Sequence, residues 1–298
     1  MEKRGDDKKV MQVLLLTLLF NLIVCIAKLF YGIKTKSLSL EADGFHSLLD
    51  SSSNVVGLIG AYLAFRPPDE GHPYGHRKIE ALTSLSISFL LFITCYEIVS
   101  HVIARLKSPV LPEVNAVSFA IMGITIVLNV LVSRYEKREG IRLRSDILLA
   151  DALHTRSDIL VSISVVLSFV AVLFNVSFLD GVIASGIVLY IITIAFRILS
   201  GSLNVLLDAR TIDPERVEEI VKKIPGIVRC HKIRSRGTRS GIFVDLHIHV
   251  DPNMTTEVSH KVTHDVIRTI KGHFPEVLDV LIHTEPAFAT GKVPFQKS

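Results

Sequence analysis

The sequence predicts a membrane protein of six transmembrane helices followed by a small cytoplasmic α+β domain. Three observations predict it. Apolar residues make up 49% of the 298, and the mean hydropathy is +0.45, a value soluble domains rarely reach. The charged residues, 21% of the chain, gather between apolar runs instead of interleaving with them. After Asp208 the composition turns polar and rich in histidine.

Six apolar runs lie at residues 10–33, 38–66, 79–104, 114–134, 145–174 and 179–207. Each reaches the ~20 residues that a helix needs to cross a bilayer core. The expected division is a cytoplasmic segment at 1–9, a six-helix membrane domain at 10–207 and a cytoplasmic domain at 208–298. The first run is longer than a signal-peptide core and has no small-residue cleavage site after it, so it reads as a retained span. Twelve Lys and Arg residues fall before span one and in the loops after spans two and four, against four in the opposite loops. By the positive-inside rule both termini are cytoplasmic, in a multi-pass protein of the cell inner or plasma membrane.

This loop bias accounts for the net charge of +4. No nucleic-acid partner is needed to explain it. Only Ile233–Arg239 is locally dense in arginine, and it lacks interleaved aromatics. Cys25, Cys95 and Cys230 are far apart in sequence, which argues against a disulfide framework and against a thiolate zinc site.

The tail reads α-β-β-α-β, a ferredoxin-like or metallochaperone-like order. In DPERVEEIVKKIPGI, Asp213 is placed as N-cap and Pro214 in the first turn, with Pro225-Gly226 closing the helix. VRCHKIRSRG and GIFVDLHIHVD read as strands. The second alternates Phe243, Asp245, His247 and His249 with Val244, Leu246, Ile248 and Val250. TTEVSHKVTHDVIRTIKGHF is an amphipathic helix, and VLDVLIHTEP a closing strand. Such an order packs its helices on one face of the sheet.

Two stretches inside the apolar runs, ADGFHSLLD (Ala42–Asp50) and ADALHTRSD (Ala150–Asp158), share the pattern A-D-x-x-H-x-x-x-D. In a helix, positions i, i+3 and i+7 share one face. Asp43, His46 and Asp50 therefore point one way, and so do Asp151, His154 and Asp158. Spans two and five run antiparallel, so the two His-x-x-x-Asp pairs can face each other. Two imidazoles and two carboxylates suit tetrahedral Zn²⁺. Ionisable groups at that depth are costly and usually mark an ion path. Asp43 and Asp151 read as supporting residues.

DEGHPYGHRK places Asp69, His72 and His76 in a turn-forming loop between spans two and three. The tail holds seven of the twelve histidines: His231, His247, His249, His260, His264, His273 and His283. Together with Glu285 they have the chemistry of a further metal cluster.

Six spans, the HSLLD and HTRSD motifs, HPYGH after span two and a His-rich α+β tail resemble the cation diffusion facilitator family, over about residues 10–286. The resemblance implies a homodimeric exporter of divalent metal that exchanges it for protons, and no enzyme activity. By motif match it makes His46, Asp50, His154 and Asp158 the transport ligands. It makes Asp69, His72 and His76 an interspan site. In the tail it selects His231, His247, His260, His283 and Glu285, although some relatives carry Asp at that last position. It also implies an interlock between Lys78 and Asp208.

The donor set favours Zn²⁺ as cargo and as regulator; Fe²⁺, Mn²⁺ and Cd²⁺ are alternative cargoes. His and Asp hold metal only when deprotonated, so loading expels protons and proton loading expels metal. The chain has no G-x-x-x-x-G-K-[ST] motif for ATP-driven pumping. The rival readings are an intramembrane metal-dependent enzyme and a metal sensor that binds without moving its ion.

Overall fold

The computed structural model describes residues 2–35, 38–107, 116–173 and 178–287. The chain divides into two compact units, Met1–Leu203 and Asn204–Ser298.

The first unit is built from α1 (Glu2–Thr35), α2 (Leu38–Ala64), α3 (Lys78–Lys107), α4 (Ala116–Arg142), α5 (Asp146–Leu173) and α6 (Phe178–Leu206). Three of them are, among the described residues, long and apolar enough to cross a membrane: Gly5–Phe30, Lys78–Ser100 and Ser185–Leu206. The unit is inverted relative to a soluble bundle. Phe30 is 66% exposed, Leu189 66% and Tyr96 73%, while Glu136, Asp151, Ser88, Ser157 and Asn54 are fully buried. An apolar outside and a hydrogen-bonded polar inside suit lipid as the solvent.

Two apolar clusters hold the helices. Val10, Val13 and Leu14 of α1 meet Ala61 of α2 and Ile147 and Leu148 of α5. Ile87 and Leu91 of α3 meet Ala150 of α5 and Ile191, Ile194 and Ala195 of α6. At the α2–α3 crossing Gly60 lies against Thr83, and a Cβ there would come within 2.7 Å of Thr83 Cβ. Only glycine fits so close an approach.

The second unit runs α7 (Pro214–Val221), β1 (Ile227–Thr238), β2 (Gly241–Val250), α8 (Thr256–His273) and β3 (Val277–Pro286), in the order expected. The sheet order is β1-β2-β3; β1 pairs antiparallel with β2, and β3 parallel with β2. Asp213 stands at the N-cap of α7 with Pro in its first turn. Thr255 caps α8, its hydroxyl accepting from Val258 N–H. Val244, Leu246, Ile248 and Val250 are buried against Val217, Val221, Val262, Val266 and Ile270. Both helices therefore cover one face of the sheet and leave the His247/His249 face open. All three cysteines are free and buried.

Candidate metal sites

In the membrane unit, α5 carries Asp151, His154 and Asp158 at helical spacing. His154 is 3% exposed, and among the described residues neither of its ring nitrogens has a hydrogen-bond partner. Its Nε2 lies 3.9 Å from Asp158 Oδ2. A buried imidazole with two orphan nitrogens is costly unless something else takes them. The donor chemistry fits a metal ion held by neutral imidazole and carboxylate. The partner motif lies on α2, but the side chains of Asp43, His46 and Asp50 fall outside the described residues.

What joins the two motif-bearing helices is nonetheless visible. Asn54 Nδ2 donates to Asp151 Oδ2 at 2.6 Å, and Ser53 Oγ donates to Asp151 Oδ1 at 3.3 Å. Asn21 Nδ2 on α1 donates to Asn54 Oδ1 at 2.6 Å. Lys28 on α1, 4% exposed, donates to Ser47 Oγ at 2.8 Å, beside His46 in sequence. Asp151 thus has a job of its own: it accepts two donors from α2 and ties that helix to α5. Sequence reading marked Asp151 as supporting, but gave no weight to Ser53, Asn54 or Lys28, which look like ordinary span residues until the helices are packed.

The interspan loop brings Asp69, His72 and His76 together, each with a ligand atom within 4.8 Å of the others. The loop curls because Asp69 and His72 exchange backbone hydrogen bonds and Gly75 N–H closes on His72 O at 2.9 Å. Gly75 has φ +83, which glycine adopts without strain. His72 Nδ1 is 3.1 Å from Asp69 Oδ1, and His76 Nε2 is 3.4 Å from Asp69 Oδ2. The His72 backbone N–H, followed by the two imidazoles, holds the Asp69 carboxyl below its ordinary value. It is therefore a carboxylate at neutral pH, as a metal ligand must be. Among the described residues His76 Nδ1 is buried without a partner.

On the open face of the sheet, strand register builds a row. His231 pairs with His247, His247 with His283, and His249 with Glu285. Glu285 sits between two pairs of imidazoles. Its Oε1 is 2.7 Å from His247 Nδ1 and 3.6 Å from His283 Nε2; its Oε2 is 3.0 Å from His249 Nε2 and 3.5 Å from His231 Nε2. Two ligand triads result, His231/His249/Glu285 and His247/His283/Glu285. The His247 hydrogen bond first, then the charge of the neighbouring rings, holds Glu285 below its ordinary value. Burial lowers the His231 value, outweighing the attraction of Glu285. Both shifts favour the deprotonated forms that bind metal.

His260 departs from the expected set. It is exposed on α8, whose Val262, Val266 and Ile270 pack on the opposite face of the sheet, so within one chain it cannot reach the row. Its neighbour is His264, Nε2 to Nε2 at 3.1 Å. His249 stands in the row instead. Asp208 pairs with Arg236 at 3.7 Å. His273 bonds the Thr269 carbonyl of its own helix.

Each of the two units matches a known domain. Residues 14–207 match the cation efflux transmembrane domain, and residues 209–287 the cytoplasmic domain of cation efflux proteins. An uncharacterized transporter of Methanocaldococcus jannaschii, MJ0449, is 31% identical over 277 residues, covering 92% of this chain and 96% of that one. The manganese efflux system protein MneP of Bacillus subtilis is 29% identical over 291 residues, covering 93% and 96%. The cation-efflux pump FieF of Shewanella oneidensis is 28% identical over 262 residues, covering 87% and 88%. With both domain models matched in series across nearly the whole chain, this protein belongs to the cation efflux family of metal transporters, the cation diffusion facilitators.

Proposed function

We propose that the chain exports a divalent metal cation, Zn²⁺ foremost, from the cytoplasm in exchange for protons, as a homodimer with both termini cytoplasmic. His154 carries this reading: a buried imidazole with both nitrogens free of hydrogen bonds among the described residues, beside Asp158 on a helix tethered to the helix that bears the other copy of the motif. His46, Asp50, His154 and Asp158 form the transport shell. Neutral imidazoles and ionised carboxylates take the metal on the cytoplasmic side. Protonation of the same atoms on the outer side weakens the shell and releases it. The bundle need only present the shell to each side in turn.

Asp69, His72 and His76 form a loop site on the cytoplasmic surface. His231, His247, His249, His283 and Glu285 form a two-metal site in the cytoplasmic domain, with one Glu285 oxygen serving each triad. Metal there stabilises that domain and reports cytoplasmic metal to the transporter.

A second reading has Mn²⁺ as cargo, because the relatives MneP and MneS are both named manganese efflux proteins. Two imidazoles in the shell favour Zn²⁺, since Mn²⁺ prefers oxygen donors. Flux of Zn²⁺, Mn²⁺, Fe²⁺ and Cd²⁺ into sealed proteoliposomes decides between them. Absence of flux for every metal would overturn the export reading and leave a sensor.

A further inference from the structure

One guanidinium joins three helices beside the interspan loop. Arg77 follows His76 directly, and its side chain is 21% exposed. Its Nη2 donates to both Asp7 oxygens on α1 at 2.9 Å. Its Nη1 donates to Glu80 Oε1, in the first turn of α3, at 3.3 Å. Its Cζ lies 4.8 Å from the centroid of the Phe65 ring, just past the end of α2. Phe65 in turn packs on the apolar cluster that includes Val10, Val13 and Leu14 of α1 and Ala61 of α2.

Only arginine can serve all three neighbours at once. Its planar group aims one nitrogen at Asp7 and the other at Glu80 while its face rests on an aromatic ring. An ammonium is a single point of charge and reaches one of them at a time. The carboxylate partners are sheltered, Asp7 at 20% and Glu80 at 1% side-chain exposure, so salt screens these pairs less than surface ones.

The three loop ligands are held differently. The side chains of Asp69 and His72 are 56% and 63% exposed, and that of His76 is 10% exposed. Asp69 accepts from the His72 backbone N–H at 2.7 Å, so the curl of the loop itself orients these two. His76 is the ligand at the edge of the bundle. The chain just after it is fixed by the start of α3, where Ile79 N–H donates to the His76 carbonyl at 2.9 Å and Glu80 N–H to the Arg77 carbonyl at 3.0 Å.

We propose that Arg77 is a positioning residue for the interspan metal site: its grip on Asp7 and Glu80 holds His76 where Asp69 can share a metal ion with it, and couples that site to the N-terminal end of α1. The proposal rests on the reading of Asp69, His72 and His76 as a metal site. Coupling between two sites is reciprocal, so metal in the loop also tightens the hold on the first turns of α1. Charge alone predicts the opposite effect on affinity. A guanidinium beside a cation site repels the cation, so a residue acting only through its charge should strengthen metal binding when removed. A residue that holds His76 in place should weaken it.

Zn²⁺ binding is measured by calorimetric titration of the full-length protein in detergent, with the loop ion defined as the one that His76→Ala removes. Arg77→Gln should bind that ion about tenfold more weakly, the scale of losing a group that orients a ligand. Arg77→Lys keeps the charge and should show part of the same loss. Asp7→Asn should weaken the wild-type protein and add nothing to Arg77→Gln, because coupled partners are non-additive. Amide hydrogen exchange over Asp6–Val10 should slow with Zn²⁺ in the wild type and not in Arg77→Gln. Unchanged or tighter loop binding in Arg77→Gln overturns the positioning role and leaves the metal site standing. An undiminished Zn²⁺ count in His76→Ala overturns the loop site and the proposal with it. Exchange that ignores Zn²⁺ in a wild type whose loop ion is bound overturns the coupling to α1. Should Arg77→Gln fail to assemble, Arg77→Lys and Asp7→Asn carry the test, and wild-type loop affinity in both overturns the proposal.

Discussion

Asn54 reaches across from α2 and gives its amide hydrogen to Asp151 on α5 over 2.6 Å. The two residues lie one turn from the metal motifs, Asn54 just after Asp50 and Asp151 just before His154. In the proposed 2-His/2-Asp shell, the bond would set how the two halves are aligned. Asn54→Ala should remove Asp151's shorter donor and Asn21's acceptor together. The loss should be about 1 kcal/mol per interhelical bond. A lower melting temperature and slower flux are expected in the full chain, with metal binding by the cytoplasmic domain unchanged. Wild-type flux in Asn54→Ala would show that the tether does not matter to the shell.

His154→Ala tests the shell itself. It should remove one membrane-site metal per protomer, counted by equilibrium dialysis, and abolish flux. The variant should assemble, since among the described residues His154 makes no hydrogen bond that holds another. Wild-type stoichiometry in this variant would refute the site.

The fold of the second unit was legible because each element carries its own period. Strand β2 alternates, and from Ile242 onward its even-numbered residues are the buried ones. The metal row was only half legible. Alternation puts His247 and His249 on one face, but that His249 stands opposite Glu285 depends on the register between β2 and β3. Register is a property of two strands, and one strand's pattern does not contain it. His260 went the other way. Its helix face follows from its period, but which side of the sheet the helix covers depends on the buried valines of β2. Glu136 was illegible for a different reason: within RYEKREG it reads as one more solvated charge, and only packing of α4 on α5 buries it.

That difference between His249 and His260 can be measured. Residues 208–298 carry their own apolar core and should fold when expressed alone. Zn²⁺ should raise their melting temperature by mass action, with about 2.7 kcal/mol gained at a hundredfold excess over Kd. His249→Ala should remove most of that gain. His260→Ala should remove less in the monomer, because α8 lies across the sheet from the row. Equal losses would show that His260 reaches a shared site after all.

The same domain without metal should be acid-sensitive in two steps. His231 is held below its ordinary value of ~6.5 and Glu285 below ~4.3. In each case the folded group binds its proton less tightly than the unfolded one. The stabilisation is therefore complete above the unfolded value and is lost as pH falls through the folded one. Urea midpoints should fall first below the histidine range, then again below the carboxylate range. Glu285→Gln should erase the second step. A step unchanged in that variant would assign it to another acid.

The close approach of α2 and α3 gives the last test. A Cβ at Gly60 would fall 2.7 Å from Thr83 Cβ, nearer than real contacts come. Thr83 has little room to turn away, because its hydroxyl is bonded to the Ile79 carbonyl at 2.8 Å. The helices themselves must then separate, and α2 carries HSLLD. Gly60→Ala should lower the melting temperature and slow flux while leaving the cytoplasmic domain's metal affinity untouched. Thr83→Ala alone should be mild, since it removes atoms from a fitted contact. Combined with Gly60→Ala it should restore part of the loss, because the hydroxyl and methyl that crowd the new Cβ are gone. Contacting residues couple in this non-additive way. Strictly additive losses in the double variant would show that the crossing yields elsewhere and that Gly60 is not what sets it.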